Sequence, residues 1–195
     1  DILIVSSPDN LHYITGFDGW SFYVPQYAVL HVNSKYGDPY LIIRHMDSAA
    51  GNSTTYIDPQ HILYYPDYFV DSDDYHPISL LCDLIKKNGW EKYTIGIDMD
   101  SDYCRARSVF EIMKNLKDIK LINDNRLINW VRIVKSNNEL EYIRQAAKIA
   151  DLVMEAGLQQ IGIDTTQGDV AGKIAKIQTK YGTYTAIAPM IMTNE

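Results

Sequence analysis

Through residue 130 the sequence alternates between short apolar or β-branched runs and stretches with helical spacing, and this alternation constrains the fold most. The short runs, bounded by turn residues, predict β-strands. They lie at residues 2–5, 27–32, 40–44, 54–57, 62–65, 94–98 and 120–122. Apolar residues at three- and four-residue spacing predict helices over residues 78–88 and 103–115. The pattern indicates an α/β fold with a mixed sheet.

Turn residues separate these predicted strands. They are Pro8-Asp9-Asn10, the loop of residues 33–39 and Asp58-Pro59. Because the loop of residues 33–39 joins two apolar runs directly, we expect those runs to form a hairpin.

Beyond Trp130 the alternation of predicted strands and helices gives way to two predicted helices. Ser136 and Glu139 have the spacing of a capping box, and an apolar stripe of about five turns follows them. We expect Gly157 and Gly162 to end that helix, and Thr166 to open another that runs to residue 181. The change predicts two domains, residues 1–132 and residues 133–195. A predicted strand begins at residue 2 without an initiator Met, so we also expect the chain to be a fragment.

Composition limits the function classes. A net charge of −7 gives no electrostatic reason to expect nucleic acid or an anionic membrane as a partner. No apolar run approaches the ~20 residues of a membrane span, and no signal peptide is present, so the cytoplasm is the expected location. Cys82 and Cys104 are too few for a disulfide framework, and we expect reduced thiols.

The sequence offers no metal site. Asp98, Asp100 and Asp102 resemble the start of a calcium loop, but Tyr103 and Val109 occupy the positions where that loop requires Gly and Glu. The five histidines are far apart and lack the spacings that zinc sites usually show. We therefore expect no metal bound by this chain.

Two segments are candidates for binding. Residues 13–26 mix aromatic side chains, Trp20 and Tyr23 among them, with Gly, Ser, Thr and Gln, which is typical of a binding surface. A packing cluster beneath a loop is the alternative. Arg44 and His45 end a predicted strand, where Arg44 has the reach and charge to bind a substrate carboxylate. A structural salt bridge is the alternative for Arg44.

Three segments resemble the creatinase/prolidase/aminopeptidase P family, the pita-bread hydrolases also called peptidase M24. Residues 10–17, NLHYITGF, are similar to the N-x-x-Y-L-T-G-F/Y signature of its amino-terminal domains. Residues 95–98, IGID, are similar to its I-G-x-E/D strand. Residues 127–151 resemble its junction, which carries the pattern R-x-x-K-S-x-x-E-x-x-x-I-R-x-A. Within the family, residues 19–26, 44–47 and 127–132 resemble the branch that includes ectoine hydrolase, although Xaa-Pro dipeptidases are similar there as well.

The resemblance implies a mixed six-stranded sheet flanked by helices, followed by the first helices of a pita-bread catalytic domain over residues 136–182. In metal-dependent members two Asp, one His and two Glu bind two divalent ions, Mn, Co or Zn. Creatinase-like members use a His and Glu pair without metal. All these residues follow a strand expected at residues 185–192, so the catalytic residues are expected beyond Glu195 and none is assigned within this chain.

The resemblance also implies a homodimer in which the amino-terminal domain caps the partner's active site, with Trp20, Tyr23, Arg44 and His45 binding substrate. The substrate class is a small amide or an Xaa-Pro peptide, hydrolysed at a C–N bond. The alternative is a catalytically inactive relative that serves in binding or assembly.

Overall fold

The computed structural model describes residues 1–19, 23–33, 37–183 and 190–192 of the 195-residue chain. The chain divides into two compact units, residues 1–132 and residues 133–195. Trp20, residues 34–36 of the predicted hairpin loop and most of the strand expected at residues 185–192 lie outside the described residues.

The first unit contains one six-stranded sheet, in the order β4-β3-β2-β1-β5-β6. Its strands are β1 (Ile2–Val5), β2 (Tyr27–His31), β3 (Tyr40–Arg44), β4 (Ile62–Tyr65), β5 (Thr94–Ile97) and β6 (Lys120–Asn123). The strand β2 pairs antiparallel with both of its neighbours, and the other pairs are parallel. The sheet is mixed and six-stranded, as predicted, and β2 and β3 are the predicted antiparallel neighbours.

Helices cover both faces of the sheet. The helices of the first unit are α1 (Pro8–Thr15), α2 (Ser48–Thr54), α3 (Ile78–Lys87), α4 (Ala106–Asn115) and α5 (Leu127–Ile133). Side chains on a strand alternate between faces. Ile2 and Ile4 of β1 therefore join the core beneath α3 and α4, whereas Leu3 and Val5 pack with Ile128 of α5 on the other face.

The predicted strand at residues 54–57 is wrong. Residues 48–54 form α2, and the hydroxyls of Thr54 and Thr55 donate to the carbonyls of Ala50 and Gly51, each at 2.8 Å. These bonds continue the hydrogen-bonding pattern of the helix, so Thr54 and Thr55 do not pair with a strand. Ile57, the apolar residue at the end of the run, is buried at 5% exposure without being part of a strand.

Pro8 begins a helix, where we had predicted a turn. Proline has no backbone N–H, but the first residue of a helix does not need that donor. A proline in the sequence can therefore mark either a turn or the start of a helix. The helix α1 then ends at Gly16, which has a φ of 75°. A Cβ at this position would lie 2.8 Å from the Thr54 carbonyl oxygen, so Gly16 permits both the backbone turn and the close approach of residues 54–55.

The second unit is built from α6 (Asn137–Gln160) and α7 (Gln167–Lys180). The capping box predicted at Ser136 is present: Ser136 Oγ accepts from the Glu139 amide, and Glu139 Oε2 accepts from the Ser136 amide. Gly157 does not end α6, contrary to our prediction. A Cβ there would lie 3.2 Å from the Ile174 side chain, so this glycine permits close packing of α6 on α7.

Among the residues that the structure describes, no helix combines the length and apolar character needed to cross a membrane.

Candidate functional site

Several polar side chains of the first unit lie at one edge of the sheet, among them Arg44, Asp67 and Asp98. The parallel pairings bring the carboxyl ends of β1, β3, β4, β5 and β6 to this edge, where the antiparallel β2 contributes its amino end. In open α/β sheets, ligands bind outside the carboxyl ends of the strands. We therefore take this edge as the candidate functional site.

Arg44 lies at this edge, where an ion pair holds its side chain. It ends β3, and its Nε donates to Oδ1 of Asp67 at 2.6 Å. Asp67 follows β4, the parallel neighbour of β3, so strand order alone brings the two residues together. The Arg44 side chain is 14% exposed and that of Asp67 is 51% exposed. The hydrogen bond to Asp67, aided by one to Tyr23, raises the pKa of Arg44.

A second polar pair lies beside Arg44. Gln26, at the amino end of β2, donates from Nε2 to Oδ2 of Asp47 at 2.6 Å. Because an Asp47 carboxylate only accepts, this bond fixes the orientation of the amide. The buried Oε1 of Gln26 has no hydrogen-bond partner among the residues that the structure describes. Burial raises the pKa of Asp47, although the charge of Arg44 and the Gln26 hydrogen bond act in the opposite direction.

The structure brings together only part of the predicted substrate-binding set. Tyr23, 47% exposed, contacts Arg44. His45 is exposed, and its ring lies against that of Tyr64, with the two ring centroids 6.0 Å apart. This contact is with Tyr64 and not with Arg44 or Asp67. Arg44 is the last residue of β3, whereas His45 is the first residue of a 3₁₀ helix (His45–Asp47). Trp20 lies outside the described residues.

Asp98 follows β5 and makes several hydrogen bonds at the part of this edge formed by β1 and β5. Its Oδ2 accepts from the backbone amides of Ser6 and Ser7 at 2.8 and 3.0 Å, and its Oδ1 accepts from Ser6 Oγ at 2.8 Å. Asp98 is 6% exposed, and burial raises the pKa of its carboxyl while the serine hydrogen bonds lower it. These bonds hold the end of β1 against the end of β5, which is a structural role.

A cavity of about 210 Å³ lies beside this carboxylate, and its lining includes Asn10, Asp98, Asp124 and Arg126. Although its lining is rich in acidic residues, no three His, Cys, Asp or Glu side chains of the described part of the chain are grouped so that they could hold a metal ion. The described residues therefore do not fit a divalent metal centre.

Asn10 links the cavity to α5. It is 4% exposed; its Nδ2 donates to Asn129 Oδ1 at 3.0 Å, and its Oδ1 accepts from Arg132 Nη1 at 2.6 Å. Arg132 also pairs with Asp9. The first residue of the NLHYITGF segment thus ties α1 to the last helix of the unit.

Sequence reasoning missed Gln26, Asp47 and Asp67 as members of the Arg44 group. Asp47 and Gln26 lie in the two segments that we singled out, but only Arg44, His45, Trp20 and Tyr23 were assigned a role. The signal for Asp67 was its position two residues after the strand predicted at residues 62–65. Using it would have required knowing that β3 and β4 are parallel neighbours.

Comparison with known proteins identifies relatives over the whole chain. The family model described as "Creatinase/Prolidase N-terminal domain" matches residues 1–134. An ectoine hydrolase of Halomonas elongata is 34% identical over 100% of this chain and 51% of its own length. An uncharacterized hydrolase/peptidase of Sinorhizobium fredii is 33% identical over 97% of this chain and 49% of its own length.

Solved structures share the fold. An X-Pro aminopeptidase from Thermotoga maritima superposes with a TM-score of 0.68 at 18% identity, over 92% of this chain and 46% of that one. A prolidase from Pyrococcus furiosus gives a TM-score of 0.66 at 16% identity, over 92% of this chain and 48% of that one. The chain thus spans about half the length of these proteins.

Proposed function

The chain belongs to the creatinase/prolidase N-terminal domain family, and from that membership we propose that it is the amino-terminal, non-catalytic part of a C–N bond hydrolase. The proposed substrate of the complete protein is a small amide, a cyclic amidine such as ectoine, or an Xaa-Pro peptide. The observation that carries this proposal is the 34% identity to an ectoine hydrolase along the entire chain.

In this proposal Arg44 binds the substrate carboxylate. A guanidinium has five N–H donors, and the contact with Asp67 uses the one on Nε. The contact with Asp67 holds the guanidinium in place and leaves its two outer nitrogens, Nη1 and Nη2, to donate to a substrate carboxylate. The ion pair with Asp67 is therefore compatible with substrate binding. Tyr23, Trp20 and His45 complete the proposed substrate-binding set, of which Tyr23 has the support of its contact with Arg44.

We place the catalytic residues in the part of the complete protein that follows Glu195. Any pair of divalent ions, Mn, Co or Zn, would be held there, since the described residues of this chain offer no suitable group. A divalent ion supplies an activated water when bound. A creatinase-like enzyme would use a His and Glu pair in its place.

Residues 133–195 are then the first helices of a pita-bread domain. Supporting this, α6 exposes large apolar side chains that a complete domain would cover: Tyr142 at 73%, Met154 at 64% and Leu158 at 61%. The complete protein is proposed to act as a cytoplasmic homodimer, with this chain serving as cap and dimerisation part.

The experiment compares the complete protein with residues 1–195. Each is incubated with an Xaa-Pro dipeptide and with ectoine, with and without Mn²⁺, Co²⁺ or Zn²⁺, and product amine is measured. We expect hydrolysis by the complete protein and none by residues 1–195. Cleavage by residues 1–195 would place catalysis inside this chain. No hydrolysis of either substrate by the complete protein would favour a binding or assembly role.

A further inference from the structure

A second cavity of the first unit, of about 440 Å³, lies between α3 and the amino ends of β3 and β4. We call it the α3 cavity. Tyr40, which lines it, is the first residue of β3, whereas Arg44 is the last, and the strand between them spans roughly 13 Å. Small-molecule sites usually have volumes of about 300–1,000 Å³. The α3 cavity is therefore large enough for a ligand and separate from the Arg44 site.

The apolar lining of the α3 cavity belongs to the folded core. Leu84 is 6% exposed, and Leu63 and Leu80 are partly buried against the core beneath α3. One wall is aromatic, because the rings of Tyr40 and His61 stack with their centroids 4.3 Å apart. These side chains offer a ligand an apolar floor and a flat wall.

Contacts from the loop before β3 hold the aromatic wall in place. His61 Nδ1 lies 3.1 Å from the carbonyl oxygen of Asp38, and it donates there because a carbonyl only accepts. A Cβ at Gly37 would lie 3.3 Å from Cε1 of the His61 ring, so the backbone packs closely against this side chain. A flat, fixed wall of this kind favours a ligand with a ring, since aromatic rings attract one another in stacked and edge-on arrangements.

The lining of the α3 cavity also carries one charge of each sign. Leu80, Asp83, Leu84 and Lys87 have i, i+3, i+4, i+7 spacing, which places them on one face of α3. Asp83 and Lys87 are exposed, and neither forms an ion pair with a residue that the structure describes. A simple anion would meet the charge of Asp83, and a simple cation would meet that of Lys87. A ligand with both charges matches the pair.

We propose that the α3 cavity binds a free amino acid with an aromatic side chain. The ammonium group of the ligand pairs with Asp83, its carboxylate pairs with Lys87, and its ring lies against the aromatic wall. The Cβ atoms of helix residues four apart lie about 5–6 Å from each other. The two charged groups of an α-amino acid share one carbon atom, so a single ligand reaches both side chains. This second site does not rest on the proposed function.

Titration followed by nuclear magnetic resonance tests the proposal on residues 1–195 with isotope-labelled leucine methyl groups. L-Phenylalanine should shift the methyl signals of Leu63, Leu80 and Leu84, with a Kd of about 1 mM. Phenylpropionate lacks the ammonium group and phenethylamine lacks the carboxylate, so each should bind about threefold more weakly, as expected for the loss of one exposed ion pair. L-Alanine lacks the ring and should leave these signals unchanged.

Substitutions at exposed positions of α3 assign the two charges without disturbing the core. Asp83→Asn should weaken the binding of L-phenylalanine about threefold without weakening that of phenylpropionate, whereas Lys87→Met should weaken both. The matched control is Lys86→Met, an exposed residue of the same helix that does not line the cavity, and it should leave binding unchanged.

Three results would overturn the proposal. The first is the absence of any shift in these methyl signals at about 20 mM L-phenylalanine. The second is equal affinity for phenylpropionate and L-phenylalanine, because the ammonium group would then contribute nothing. The third is an equal effect of Lys86→Met and Lys87→Met, which would show that the carboxylate is not bound at the α3 cavity.

Discussion

Asn10 Oδ1 accepts a hydrogen bond from Arg132 Nη1 at 2.6 Å, although 122 residues separate the two in sequence. The same amide donates to Asn129 at 3.0 Å. One buried side chain near the start of the first unit thus holds α5, the helix at the end of that unit, in place.

We predict that Asn10→Ala lowers the free energy of unfolding of the first unit by about 2 kcal/mol, because it removes two hydrogen bonds, one of them to a charged group. Urea denaturation of residues 1–195 followed by circular dichroism measures this. Gln60→Ala, at an exposed position, is the control and should change stability by less than about 0.5 kcal/mol. Equal effects of the two variants would show that the Asn10 contacts contribute nothing specific.

Asp98→Ala should cost about 3 kcal/mol. The substitution leaves the amides of Ser6 and Ser7 and a serine hydroxyl without their acceptor in a site where Asp98 is 6% exposed. Asp102→Ala, at an exposed position of the same loop, should stay within about 0.5 kcal/mol. Denaturation midpoints of the two variants test this, and a stable Asp98→Ala protein would contradict the role assigned to this carboxylate.

His76 should make stability depend on pH. Its Nδ1 accepts from the Ile78 amide, and burial, reinforced by the charge of Arg107, lowers its pKa from 6.5 to about 4. The unfolded chain therefore binds more protons between pH 4 and 6.5, so stability is complete above pH 6.5 and falls as pH drops through this window. The expected loss is up to about 3 kcal/mol.

In His76→Asn the amide oxygen can still accept from Ile78 but does not titrate. Denaturation of both proteins at intervals from pH 4 to 7 should show a shallower curve for the variant across this window. Parallel curves would mean that His76 is not buried in its neutral form.

The strands could be predicted because each is a short apolar run bounded by turn residues, and six of the seven predicted runs form strands. The run at residues 54–57 failed because Thr54 and Thr55 bond back to helical carbonyls. Local sequence does not show whether a β-branched run will find a neighbouring strand.

The candidate site was less accessible to sequence reasoning. Arg44 could be found because it ends an apolar strand, but its partner Asp67 depends on the order of strands in the sheet. Likewise, the pairing of Gln26 with Asp47 depends on β2 running antiparallel to β3. Long-range pairing determines which polar residues meet, and periodicity within a segment does not contain that information.

The most direct test of the proposed function is the kinetic effect of Arg44→Ala in the complete protein. Loss of a desolvated, charge-assisted contact typically costs ~2–5 kcal/mol, which corresponds to a fall in kcat/KM of roughly thirtyfold or more. Thermal stability should remain nearly intact, because the partner Asp67 is half exposed and such pairs contribute about 1 kcal/mol or less. Arg105→Ala, which removes an exposed pair with Asp71, is the control and should retain activity.

The measurement is kcat/KM of the two variants and of the unmodified complete protein on the proposed carboxylate substrates, together with the melting temperature of each protein. A large loss of kcat/KM in Arg44→Ala alone, with its melting temperature preserved, is the predicted result. Full activity in Arg44→Ala, or a loss of folding in parallel with the loss of activity, would show that Arg44 serves the structure and does not bind substrate.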